Sequence, residues 1–190
     1  MTLSATALAS RALLRIGTRA INSFDDGTVE SDLAGALYTP IRDGLISSFG
    51  WSFATAQMEL PRLATAPLAD YDFAFQLPNN FLRAISAGVP GAGRGVTYRI
   101  YQNALHCNLD EVTLTYIYRP AEIDCPAFFD TVLIARLAAE LCIPITESTA
   151  RAELLFSLAD KELQRARQID SQQETPASIE DFSLIEARRS

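Results

Sequence analysis

The chain has 190 residues, 48% of them apolar, with a net charge of −7 and a pI near 4.7. That length and composition suit one domain with a substantial core, or a compact core with an appendage. The acidic balance argues against a nucleic-acid clamp, which is normally basic, yet it suits a surface that DNA slides past without sticking.

Cys107, Cys125 and Cys142 are odd in number and widely spaced, no CxxC occurs, and His106 is the only histidine. A zinc site is poorly supported by that set, and no metal or other cofactor is expected. Buried free thiols in a reducing compartment are the expectation. The opening MTLSATALASRALLRIG has no basic stretch ahead of its apolar part, so no signal peptide is expected. Arg11 and Arg15 break the first candidate membrane span, and no membrane contact is expected.

In chain order, Ser4 or Thr2 can cap a first helix with Ala5, Leu8, Ala9, Ala12, Leu13 and Ile16 on one face, ended by Gly17. Ile21 and Phe24 read as loop anchors, and Asp25-Asp26-Gly27 is turn chemistry. Thr28 is a fair N-cap for a second helix, whose Leu33, Leu37, Ile41 and Leu45 form a stripe at helical period. Pro40 should cost that helix one hydrogen bond and bend it, and Gly50 is placed to end it in the left-handed conformation. The two helices should form an αα-hairpin. Trp51 and Phe53 follow at once and read as core.

The period then changes to two. Ala54, Ala56, Met58 and Leu60 alternate with Thr55, Gln57 and Glu59, as in a half-buried strand. An extended piece reaches Leu77-Pro78, Pro78-Asn79-Asn80 turns, and Phe81 to Ala87 makes another strand. Residues 88–95, GVPGAGRG, lack the Lys of a P-loop and the following helix of a dinucleotide site. A flexible hairpin loop is the expectation, with Gly91, Gly93 and Arg94 as a candidate contact with a partner or channel. The sheet continues through Val96–Tyr101, Ala104–Cys107 and Glu111–Arg119, the last with Val112, Leu114, Tyr116 and Tyr118 on one face.

From Ala127 the pattern is helical again, broadly hydrophobic and so buried on more than one side, with Pro144 as its expected end. Thr146 or Ser148 starts a last helix to about Asp170, bearing Ala152, Leu155, Phe156, Ala159, Leu163 and Ala166 on one face, with a Glu147–Arg151 pair. Residues 171–190 read as an arm with apolar anchors, in which Ile179, Phe182, Leu184, Ile185 and Arg188 are the candidate partner-binding residues. The expected architecture is α+β: about four helices, two N-terminal and two C-terminal, with an inserted, mainly antiparallel sheet and an extended C-terminal arm.

Five stretches carry a resemblance. They are ALLRIGTRAINSFDDGTVESDLAGALY, IRDGLISSFGWSFATAQ, AFQLPNNFLR, YIYRP and PAFFDTVLIARLAAELCIPIT. In this order the chain resembles the tail tubular protein A family of short-tailed phages, and the wider group of phage head-to-tail adaptors (connectors) and related prophage proteins. The resemblance spans residues 5–170 and rests on packing motifs. It implies one adaptor domain over 1–170 (helical hairpin 1–50, β region 51–120, helical hairpin 127–170), followed by the arm 171–190.

The resemblance further implies a structural virion protein rather than an enzyme, made in the host cytoplasm. A ring of about twelve copies would stand between the portal protein and a tail nozzle, stopper or tail tube component. DNA would pass through its conduit without sequence-specific binding, and no cofactor follows. The alternatives are another virion assembly protein, such as a completion factor or stopper, or a carbohydrate-active hydrolase. Hydrolysis would need two facing carboxylates, for which Asp70, Asp72, Asp110 and Glu111 lie near turns.

Overall fold

The computed structural model describes residues 3–173. The arm residues Ile179, Phe182, Leu184, Ile185 and Arg188 therefore lie outside the described residues. The fold is α+β, as expected: four α-helices accompany two small antiparallel sheets among the described residues.

Helix α1 spans Ala5–Arg15, where Ser4 Oγ accepts from the Ala7 N–H at 3.2 Å and buries Leu8, Ala9, Ala12 and Leu13. Gly17, at φ +81°, follows its end. Helix α2 spans Val29–Ser47 and opens on a capping box. The Thr28 hydroxyl accepts from the Ser31 N–H, while Ser31 Oγ accepts from the Thr28 N–H at 3.0 Å. The buried line of α2 is Ser31, Ala34, Tyr38, Arg42 and Ile46, whereas Leu33, Leu37, Ile41 and Leu45 flank it half-buried. The expected leucine stripe is thus rotated off centre, because Arg42 and Ser31 are held inward by polar partners that composition does not reveal. Gly50 is not left-handed either. Ser47 and Ser48 instead close the helix, their hydroxyls donating to the carbonyls of Gly44 and Leu45.

Helix α3, Ala127–Thr146, is the axis of the helical part, with α1, α2 and the following helix α4, Thr149–Asp170, all packed against it. This explains its all-round hydrophobicity. It also means that α1 and α2 meet chiefly through α3 rather than as a close hairpin. Pro144 lies inside the last turn and does not end α3. It forfeits one N–H, but the turn still closes through Glu147 N–H to Ile143 O at 2.9 Å, with Glu147 left-handed at φ +54°. Since Glu147 stands outside both helices, the expected Glu147–Arg151 pair lacks helical geometry and does not form. Arg151 Nη2 donates to the Arg15 carbonyl at 3.4 Å instead.

The β region is two sheets rather than the single continuing sheet expected. Strands β1 (Thr55–Glu59), β6 (Thr113–Tyr118) and β3 (Phe81–Gly88) pair in that order; β2 (Phe73–Gln76), β5 (Ala104–Cys107) and β4 (Arg99–Tyr101) make the second. The chain alternates between the two: β2 belongs to the second sheet, β3 to the first, and after the glycine-rich loop β4 and β5 return to the second. Each sheet therefore has its own strand set. Met58, expected inside, is exposed, since β1 is an edge strand covered on neither side at that point.

Two cores result. One gathers the four helices around Trp51, Phe129, Leu133 and Leu137; the other holds Phe75, Leu105, Cys107, Val112, Leu114 and Tyr116. Strand β6 serves both, because alternation sends Ile117 to the first and Leu114 and Tyr116 to the second. Trp51 is fully buried between Phe49, Phe53 and Phe129, and its Nε1–H donates to Leu45 O at 3.0 Å.

A polar seam ties the helices to the sheets. Arg119 Nη2 pairs with Asp43 Oδ2 at 2.6 Å, Arg42 bridges Asp43 and Glu122, and Arg83 Nε donates to Ser47 O at 2.7 Å. Asp170, at the end of α4, accepts from the Ser52 N–H and from Ser52 Oγ at 2.7 Å.

Candidate interaction site

The glycine-rich loop is strapped down rather than free. Val96 N–H donates to Ala87 O at 3.0 Å, closing the loop onto β3. The Gly93 carbonyl then accepts from Ser86 Oγ at 2.8 Å and from Thr115 Oγ1 at 3.3 Å. Gly88 must be glycine for a packing reason: a Cβ there would fall inside the carbonyl of Ala92. Of the three loop residues singled out, Gly91 and Arg94 are exposed, while Gly93 faces the sheet and is spent on internal contacts. They do not converge on one spot.

A different place gathers uncommitted chemistry. On the outer face of β2-β5-β4 a hollow of about 750 Å³ lies under the loop formed by residues 63–71. Registry builds its floor. Ala74 and Arg99 flank His106 across the sheet, and Tyr101 stands opposite Ala104. The two small alanines leave the room, and the alternate residues Phe75, Leu105 and Cys107 fill the core beneath. The rings of Tyr71 and Tyr101 each meet the imidazole of His106 edge-on, with centroids 6.4 and 6.0 Å away. Among the described residues, the side chains of Asp70, Arg99, Gln102 and His106 have no hydrogen-bond or ion-pair partner, although all four line the hollow. Elsewhere Arg42, Arg83, Arg119 and Arg136 are each engaged. Convergent polar groups around an apolar-walled hollow are the usual form of a binding site.

The carboxylates considered for hydrolysis are differently placed. Asp70 is at the rim of that hollow with φ +70°, while Asp72, Asp110 and Glu111 are exposed at turns joined by the Asp72 N–H to Asn108 Oδ1 bond of 3.0 Å. No group of three or more His, Cys, Asp or Glu side chains among the described residues could hold a metal ion. No helix there is long and apolar enough to cross a membrane.

A second polar group is buried where α2 meets the start of α3. The Tyr38 hydroxyl and Asp130 Oδ1 have no hydrogen-bond partner among the described residues. Burial raises the pKa of Tyr38, with Glu122 adding to it, and burial likewise raises that of Asp130 against the pull of Arg11. The Cys125 thiol is pushed up to about 12 by burial, then by Asp130 and Glu122. At that value it is no nucleophile. Burial disfavours the charge on Arg42, but Asp43 and Glu122 outweigh it and hold the guanidinium protonated. All three cysteines are buried free thiols. Tyr38, Arg42, Cys125 and Asp130 of this group are all buried.

Sequence reasoning named neither Tyr71, Tyr101, Arg99 nor Gln102 as a set. The available signal was the small-residue alternation of β5, Ala104 and His106 on one face, opposite an Arg and a Tyr two residues apart in β4. A scan against protein-family models finds no match for this chain, and a search of curated proteins finds none either.

Proposed function

We propose that the chain is a structural head-to-tail adaptor of a tailed phage or prophage. In this reading it forms a ring between the portal protein and the next tail component, and DNA passes through it. It is an assembly protein and not an enzyme, and its place is the virion. The observation that carries the reading is the layout: a β lobe with its own core, inserted between two pairs of helices that share one core around α3. Such a layout would supply a ring body from the helices and a separate β module, in the order in which the five family-like stretches occur. Support also comes from the outer face of α4, where Leu154 and Leu158 stand exposed one turn apart, as a subunit contact would require.

The test is the mass and symmetry of the complex formed with the portal protein encoded in the same genome, imaged as single particles. A closed ring of about twelve copies stacked on the portal is the expected outcome. Absence of any portal complex would sink the adaptor reading and favour another virion assembly role, such as a completion factor or stopper.

A further inference from the structure

We infer that the hollow on β2-β5-β4 receives the arm, residues 174–190, of a second copy of this chain. The Phe182 ring would sit between Tyr71 and Tyr101, and a carboxylate of Glu180 or Asp181 would pair with Arg99. This inference rests on the ring reading above and names the contact that would join its subunits.

Three observations lead there. The first is chemical fit. The hollow offers two aromatic walls, a floor of small alanines and an uncommitted guanidinium. The arm carries Glu180-Asp181-Phe182, two carboxylates next to an aromatic ring, flanked by Ile179, Leu184 and Ile185. A ring between aromatic side chains and a desolvated carboxylate on an arginine are the pairings that dominate buried contacts. The second is the adjacent edge. β4 is the last strand of its sheet, so one side of Arg99–Tyr101 has no ladder partner among the described residues. An incoming segment can add backbone hydrogen bonds there while a side chain enters the hollow. Leu68, wholly exposed on the overhanging loop, and half-exposed Tyr101 would both be covered.

The third is reach. The described chain stops at Gln173, one short turn past Asp170, whose bonds to Ser52 fix the end of α4. The stretch from Gln173 to Phe182 can span at most about 30 Å, roughly the diameter of a small domain. Such a tether crosses a subunit boundary easily. The cost of ordering the arm is recovered only where its anchors are buried, and this hollow offers room, aromatic walls and unpaired polar groups together.

The experiment places benzoylphenylalanine at position 182 of the full chain, mixes nitrogen-14 and nitrogen-15 copies, and irradiates both the free protein and its portal complex. Cross-links from position 182 to residues 63–71 or 99–106, between copies of different isotope, are expected. Arg99→Glu should cut their yield about tenfold, and adding Glu180→Arg with Asp181→Arg should restore it. Arg99 is exposed, and circular dichroism together with Trp51 fluorescence verifies that both lobes of each variant are folded. Cross-links landing elsewhere, occurring only within one chain, failing to form, or ignoring Arg99→Glu would each overturn the assignment. Cross-links between copies without any ring on the portal would instead defeat the ring reading alone. A ring whose arm cross-links elsewhere would defeat only the docking site.

Discussion

Asp130 enters the interior in the first turn of α3 with one carboxylate oxygen unpartnered. Burial raises its pKa above the ordinary carboxylate value and Arg11 only partly opposes this. The folded protein therefore holds a proton that the unfolded chain releases. The stabilising proton is fully in place below the unfolded value and its contribution fades as pH rises through the folded one. Asp130→Asn should flatten that decline, so urea unfolding between about pH 3 and pH 7 should show a shallower loss in the variant. Parallel curves for the two proteins would rule the carboxyl out as the source. None of this is visible in the run PAFFD, where an acid near a helix start looks favourable on its own. Residue identity was legible along the chain; which polar groups end up without partners was not, because that depends on what α1 and α2 bring against α3.

Helix α4 shows how far periodicity carries. Its end at Asp170 and its face of Ala152, Leu155, Phe156, Ala159, Leu163 and Ala166 follow from spacing alone, and the structure buries or half-buries each of them. Spacing could not show what Asp170 does, since its partner Ser52 is 118 residues away. Asp170→Ala removes the acceptor of the Ser52 N–H and hydroxyl and should cost about 2–3 kcal/mol. Denaturant unfolding measures that loss, and hydrogen exchange should show the last turn of α4 opening first. A variant as stable as the parent, with that turn still protected, would contradict the assignment. Long-range partners also explain the other departures at this scale. The buried line of α2 takes in Arg42, whose partner Glu122 lies 80 residues on, and neither sheet is built from three consecutive strands. The floor of the hollow was legible as alternation, but its walls come from a loop and a strand that only pairing brings together.

At the scale of the molecule, two cores share β6, so they should not melt apart. Trp51 is the chain's only tryptophan and lies in the helical core, which makes its fluorescence blind to the β lobe unless the two are coupled. Leu105→Ala hollows the other core and should cost about 2–5 kcal/mol. The Trp51 transition should fall by that same amount in one step. An unchanged Trp51 midpoint, with a separate earlier transition by circular dichroism, would mean that the lobes are independent. The coupling also has a mechanical side. β6 is gripped by an antiparallel neighbour on each flank and runs through Pro120 and Pro126 into α3. Tension along this strand loads both ladders lengthwise, so their bonds must yield together, whereas a sideways force peels them one pair at a time. β6 should therefore resist a pull along its own length better than a pull across it.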